Sequence, residues 1–111
     1  MKYYSTNHTA PEATLAEAVI HGLAPDRGLY MPERIERLPE SFFRNIENLS
    51  FREISFEVAK AFFGEDINEE ELRDIVYDTL SFDCPVVNVS PGIWALELFH
   101  GPTLAFKDVG A

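Results

Sequence analysis

The sequence predicts an α+β fold, mostly helical with short strands, and three observations carry that expectation. Between Glu12 and Leu80, apolar residues recur at helical spacing, and two of the segments open on capping residues. From Cys84 onward the period becomes that of a strand: Pro85-Val86-Val87-Asn88-Val89 is β-branched, and Ile93 to Phe99 alternates. The opening Lys2 to Thr6, KYYST, is rich in aromatic and hydroxyl residues and reads as a short strand of its own.

Taken in order, Asn7 to Pro11 is a turn, and a helix follows from about Glu12 to His21. Leu15, Val19 and Leu23 share one face of it, with Ala16 and Ile20 beside them. Gly22, then Pro25, ends that helix. Ala24 to Gly28 is a turn by composition, in which Gly28 suits a positive φ. Leu29 to Met31 is a brief strand closed by Pro32 and placed to pair with the first. Glu33 to Pro39 is a linker, and Pro39 to Asn45 a short helix with Phe42, Phe43 and Ile46 inward. Ser50-Phe51-Arg52-Glu53 is an S-x-x-E capping box that satisfies two otherwise unpaired N–H groups. Ile54, Val58, Ala61 and Phe62 form the expected buried stripe of the helix it opens, and Gly64 ends it. Asn68 caps the next helix, whose first turn, Glu69-Glu70-Glu71, sits at the positive end of the helix dipole. Leu72, Ile75, Val76 and Leu80 make its apolar face, and the two helices are expected to form an antiparallel pair. Ser90-Pro91-Gly92 turns into the last strand, with Trp94, Leu96 and Leu98 on one side and Glu97 on the other.

Composition narrows the partners. At 111 residues the chain is one domain at most, and 46% apolar with 13% aromatic content supplies a modest core. The net charge of −10, with no basic stripe, argues against nucleic acid and anionic membranes. The one cysteine, Cys84, leaves no internal disulfide and fits a reducing compartment. Met1-Lys2-Tyr3-Tyr4 opens no apolar signal region, and no apolar run nears the roughly 18 residues of a membrane helix. A soluble, cytoplasmic protein is expected.

The chemistry concentrates in Glu97 to Ala111, ELFHGPTLAFKDVGA. An apolar strand runs into a Gly-Pro turn and then to Lys107, one of three lysines. Leu104, Ala105 and Phe106 precede it. A lysine in apolar surroundings incurs a desolvation cost when charged, and a helix starting near Asp108 adds to that, whereas Asp108 itself favours the ammonium. A partly neutral amine is what an aldehyde cofactor such as pyridoxal phosphate requires. The structural alternative is a surface lysine paired with Asp108. Thr103 is placed to hydrogen-bond a substrate carboxylate or phosphate; its alternative is an ordinary turn hydroxyl or a helix cap. His100 reads as an acid/base group or a structural histidine. Cys84 has no nucleophile signature around it, and His8, His21 and His100 share no metal-ligand spacing.

Glu97–Gly110 resembles the lysine segment of fold-type-II pyridoxal-phosphate enzymes of the tryptophan-synthase-β type, where P-T-x-x-F-K-D carries the Schiff-base lysine. ELFHGPTLAFKD looks closer to the threonine synthases. So does the segment Gly22 to Pro32, GLAPDRGLYMP, which is similar to the G-L-A-x-D-x-G-L-Y-x-P of that family's N-terminal extension. The resemblance implies a threonine-synthase-type N-terminal domain over residues 1–82 and the start of an α/β catalytic domain over 83–111. It implies conversion of O-phospho-L-homoserine and water to L-threonine and phosphate, with pyridoxal phosphate as cofactor. Lys107 is then the catalytic, cofactor-bearing residue, Phe106 packs near the cofactor, and Thr103 helps bind substrate.

The family holds the cofactor phosphate in a downstream Gly-rich loop and meets the pyridine nitrogen further on. Neither lies within residues 1–111, so the chain is expected to be the front of a larger enzyme, inactive alone, and able to self-associate through the strand edge near Ile93–Phe99. Many related enzymes have Gly-Ser at Leu104-Ala105 and Arg at Val109, which leaves fewer polar contacts near this lysine. The alternatives are another fold-type-II lyase such as a threonine dehydratase, against which the Gly22–Pro32 segment argues, and an acidic interaction domain docking through Ser50–Leu80.

Overall fold

The computed structural model describes residues 1–110. Strand β1, Tyr3–Ser5, pairs antiparallel with β2, Tyr30–Pro32, placing Tyr4 opposite Met31. Between them lies α1, Leu15–His21, which starts three residues later than the periodicity suggests. Thr14 is its N-cap, forming a capping box with Glu17, because Ala13 is held in an extended bridge to Tyr3. Gly22 ends it at φ 70°, in the left-handed region that favours glycine.

The buried face of α1 is Leu15 and Ala18, which pack on Tyr3. Val19, Ile20 and Leu23, expected with Leu15, are 72%, 80% and 55% exposed. A helix of two turns with apolar residues on two sides leaves the choice of face to whatever lies beside it, here the small sheet.

Asp26 organises the first turn region. Its carboxylate accepts from Ser5 Oγ at 2.5 Å and Gly28 N at 3.0 Å on one oxygen. The other oxygen accepts from Thr9 N, Thr9 Oγ1 and Ala10 N at 2.9–3.0 Å. The positive φ expected at Gly28 belongs instead to Arg27, at 68°. Gly28 serves a different need: a Cβ there would collide with Ser5 Oγ and lie 2.9 Å from Asn7 N.

Helix α2, Glu40–Asn45, buries Phe42, while Phe43 and Ile46 are 57% and 38% exposed, contrary to expectation. Helix α3, Phe51–Phe63, opens on the Ser50–Glu53 capping box, and α4, Glu69–Thr79, on Asn68, whose side chain accepts from Glu71 N. They form an antiparallel pair: Arg52, at the start of α3, donates to Leu80 O and Ser81 O at the end of α4. Their seam is Phe56, Leu72 and Val76, with Ala59, Phe63 and Tyr77 around it.

The stripe expected on α3 (Ile54, Val58, Ala61 and Phe62) is only partly covered, and Ile75 of α4 is 52% exposed. The face that packs is the one carrying Phe56, whose ring lies beneath Arg73 at 4.1 Å and Lys60 at 5.1 Å. Phe63 and Ile67 border both this seam and the Tyr3–Leu15–Ala18 cluster, joining the two.

Strands β3, Val86–Ser90, and β4, Ile93–Leu96, form an antiparallel hairpin with an irregularity between Asn88 and Ser90, turning at Gly92 with φ 77°. The strand ends at Leu96, short of the expected Phe99, and Trp94 is 63% exposed. Helix α5, Lys107–Gly110, follows. No helix among the described residues is long and apolar enough to cross a membrane.

Candidate active site

Beyond β4 the backbone turns back on itself. Glu97 N donates to Pro85 O at 2.9 Å, extending the hairpin ladder. His100 Nε2 lies 2.6 Å from Glu97 Oε2, and its ring rests on Phe99. His100 is outside the hollow that holds Lys107.

Gly101 is buried against Asp108; a Cβ there would lie 2.5 Å from Asp108 Cβ and 2.6 Å from its Oδ2. Only glycine permits that approach. The turn then passes through Leu104 at φ 59°, a conformation uncommon for a side chain of that size. Thr103 N donates to Asp108 Oδ2 at 2.9 Å and Thr103 Oγ1 to Asp108 Oδ1 at 2.8 Å. The turn and the first residues of α5 are thus one unit.

Thr103 and Lys107 come together in an open hollow lined also by Thr79, Phe82, Pro102 and Asp108. Phe106 stands outside its lining and is 67% exposed. Lys107 is exposed, and the side chains of Leu104 and Phe106 expected to surround it project into solvent. The alternative pairing with Asp108 is also absent: among the described residues Lys107 joins no ion pair, and its neighbour's carboxylate serves Thr103. Sequence reasoning missed this use of Asp108 and the wall formed by Thr79 and Phe82. The Gly101-Pro102 pair was the one hint of close packing there.

The hollow offers an aldehyde cofactor one amine. The Lys107 amine is accessible, and the flanking wall offers Phe82 and Pro102 to a flat ring. A cofactor phosphate finds no second cation in the lining.

Residues 2–80 match the family model described as "Threonine synthase N terminus". Threonine synthase of Escherichia coli strain K12 is 36% identical over 110 residues, which cover 99% of this chain and 26% of that protein. The Schizosaccharomyces pombe threonine synthase is 38% identical over 115 residues, covering 98% of this chain and 22% of its own length. The crystal structure of the Escherichia coli enzyme matches with a TM-score of 0.89 at 36% identity, over 99% of this chain and 26% of that one. Threonine synthase from Brucella melitensis, a structure with pyridoxal phosphate bound, matches at 0.87 and 37% identity, over 98% and 25%. The chain spans about a quarter of the length of the relatives it matches.

Proposed function

The chain belongs to the threonine synthase N-terminal family, and from that premise we propose that the protein carrying it is a threonine synthase of fold type II. It is a cytoplasmic lyase that converts O-phospho-L-homoserine and water to L-threonine and phosphate. The match over residues 2–80 carries this reading. Residues 1–82 form the N-terminal domain in it, and residues 83–111 begin the catalytic one.

Pyridoxal phosphate, when bound, supplies an electron sink for the charge left as the substrate loses a proton. Lys107 Nζ holds it covalently at rest. Once released, the same amine takes a proton from the substrate carbon and returns it during the rearrangement. Over the whole reaction the substrate's terminal carbon–oxygen bond breaks, phosphate leaves, and water contributes the new hydroxyl at the adjacent carbon. Thr103, beside Lys107 in the hollow, orients the substrate. Phe106, exposed next to the lysine and outside the hollow's own lining, packs near the cofactor.

The test is phosphate release from O-phospho-L-homoserine by the full-length protein and by its Lys107→Ala variant. The variant loses activity by several orders of magnitude and loses the visible band of the bound cofactor. Borohydride reduction followed by peptide mapping places the label on Lys107. A variant that keeps its turnover, or a label on Lys2 or Lys60, refutes the assignment. Residues 1–111 alone are expected to release no phosphate.

A further inference from the structure

Lys107 is the first residue of helix α5, with no helical turn before it to hold it. The lysine that opens it has a long flexible stem, so something else must fix its direction. Leu104, held at φ 59°, makes the turn before it costly to form without compensation. The compensation visible is the carboxylate of Asp108. It accepts both the backbone N–H and the hydroxyl of Thr103, at 2.9 and 2.8 Å, and it lies against Gly101, where a Cβ would come within 2.6 Å of it. The side chain next to Lys107 therefore holds Thr103 by two hydrogen bonds and packs against Gly101.

We propose that Asp108, through its clasp on Thr103 and Gly101, is the positioning residue of Lys107, fixing where the amine enters the hollow. The proposal rests on the reading of Lys107 as the cofactor-bearing residue.

The experiment uses the full-length protein stripped of cofactor and follows the visible band that forms when pyridoxal 5'-phosphate is added, with no substrate present. Contacts between Thr103 and substrate cannot enter that rate. Thr103→Val removes the hydroxyl bond, Asp108→Ala removes both bonds, and Thr103→Ser keeps them. If misplacement of the amine is the cause, Thr103→Val and Asp108→Ala each slow band formation by about tenfold or more. The double variant is no slower than Asp108→Ala, since both changes act on one clasp, and Thr103→Ser stays within about twofold of the parent. Rates within twofold for Thr103→Val, or losses that multiply in the double variant, overturn the proposal. A general loss of folding would slow Thr103→Ser and Thr103→Val alike, and that result also counts against it. If borohydride labelling finds the cofactor on another lysine, the reading of Lys107 fails first. If the label is on Lys107 while the rates are unchanged, the clasp alone fails.

Discussion

Asp26 receives five hydrogen bonds from four residues between Ser5 and Gly28, and that single side chain holds the start of the chain against the turn before β2. The hydrogen bond from Ser5, followed by those from Gly28 and Thr9, holds its carboxyl well below the usual carboxylate range. Because the folded value lies below the unfolded one, the stabilisation is complete above the unfolded value of about 3.9 and is lost as acid protonates the folded carboxylate. Asp26→Asn removes this dependence. The variant is expected to unfold at a lower temperature than the parent at pH 6–7, with the gap narrowing as the pH falls below about 4. Thermal unfolding of both proteins across pH 2.5–7 checks this, and parallel curves would show that Asp26 does not set the acid limb. The sequence made the turn readable from Ala24-Pro25-Asp26-Arg27-Gly28, but not its mechanism. Turn composition does not say which of two adjacent residues takes the positive φ, and here a crowded Gly28 passed it to Arg27.

Helices α3 and α4 separate what local sequence dictates from what packing decides. Their starts were legible because a cap is local chemistry. Ser50 and Glu53 stand three residues apart and bond reciprocally, Ser50 N to Glu53 Oε2 at 2.7 Å and Glu53 N to Ser50 Oγ at 3.3 Å. The buried face was not legible, because α3 is apolar on two sides. Ile54, Val58, Ala61 and Phe62 satisfy helical spacing as well as Phe56, Ala59 and Phe63 do, and only the position of α4 chooses between them. Single substitutions distinguish the two kinds of contribution. Ser50→Ala is expected to cost about 1 kcal/mol. Phe56→Ala, which opens a cavity at a 2% exposed position and strips the ring from Arg73 and Lys60, is expected to cost about 3–5 kcal/mol. Val58→Ala, on the expected but half-open stripe, falls well short of Phe56→Ala. Denaturant unfolding of the three variants gives the order; a Val58→Ala loss equal to that of Phe56→Ala would mean that the outer face is the packed one.

At the scale of the whole molecule, the chain is longer than it is wide, 50 × 29 × 25 Å, and its radius of gyration of 16.6 Å exceeds the roughly 13 Å typical of a compact domain of this length. The body is the two clusters joined by Phe63 and Ile67, while β3 and β4 have their principal contacts with each other. The Gly101-Pro102 turn and the helix start after it were legible in sequence, but the apolar setting expected around Lys107 is not formed by these elements, because Leu104 and Phe106 are both exposed.

The hairpin has the same character. Val86, Val89, Ile93, Trp94 and Leu96 are each 58–66% exposed, and a two-stranded ribbon is marginal in water by itself. Both strands have an unpaired edge among the described residues, so copies of the 111-residue chain are expected to associate edge to edge. The net charge of −10 opposes this, and salt screens it. Association driven by apolar burial and strand pairing should therefore strengthen between 0.05 and 0.5 M salt, on the order of a threefold fall in Debye length, whereas ion-pair association would weaken. Size-exclusion volumes should move earlier with concentration and with salt, and Val89→Lys with Trp94→Lys should restore the monomer position. A single monomer volume at every concentration and salt would mean that the charge outweighs the exposed edge.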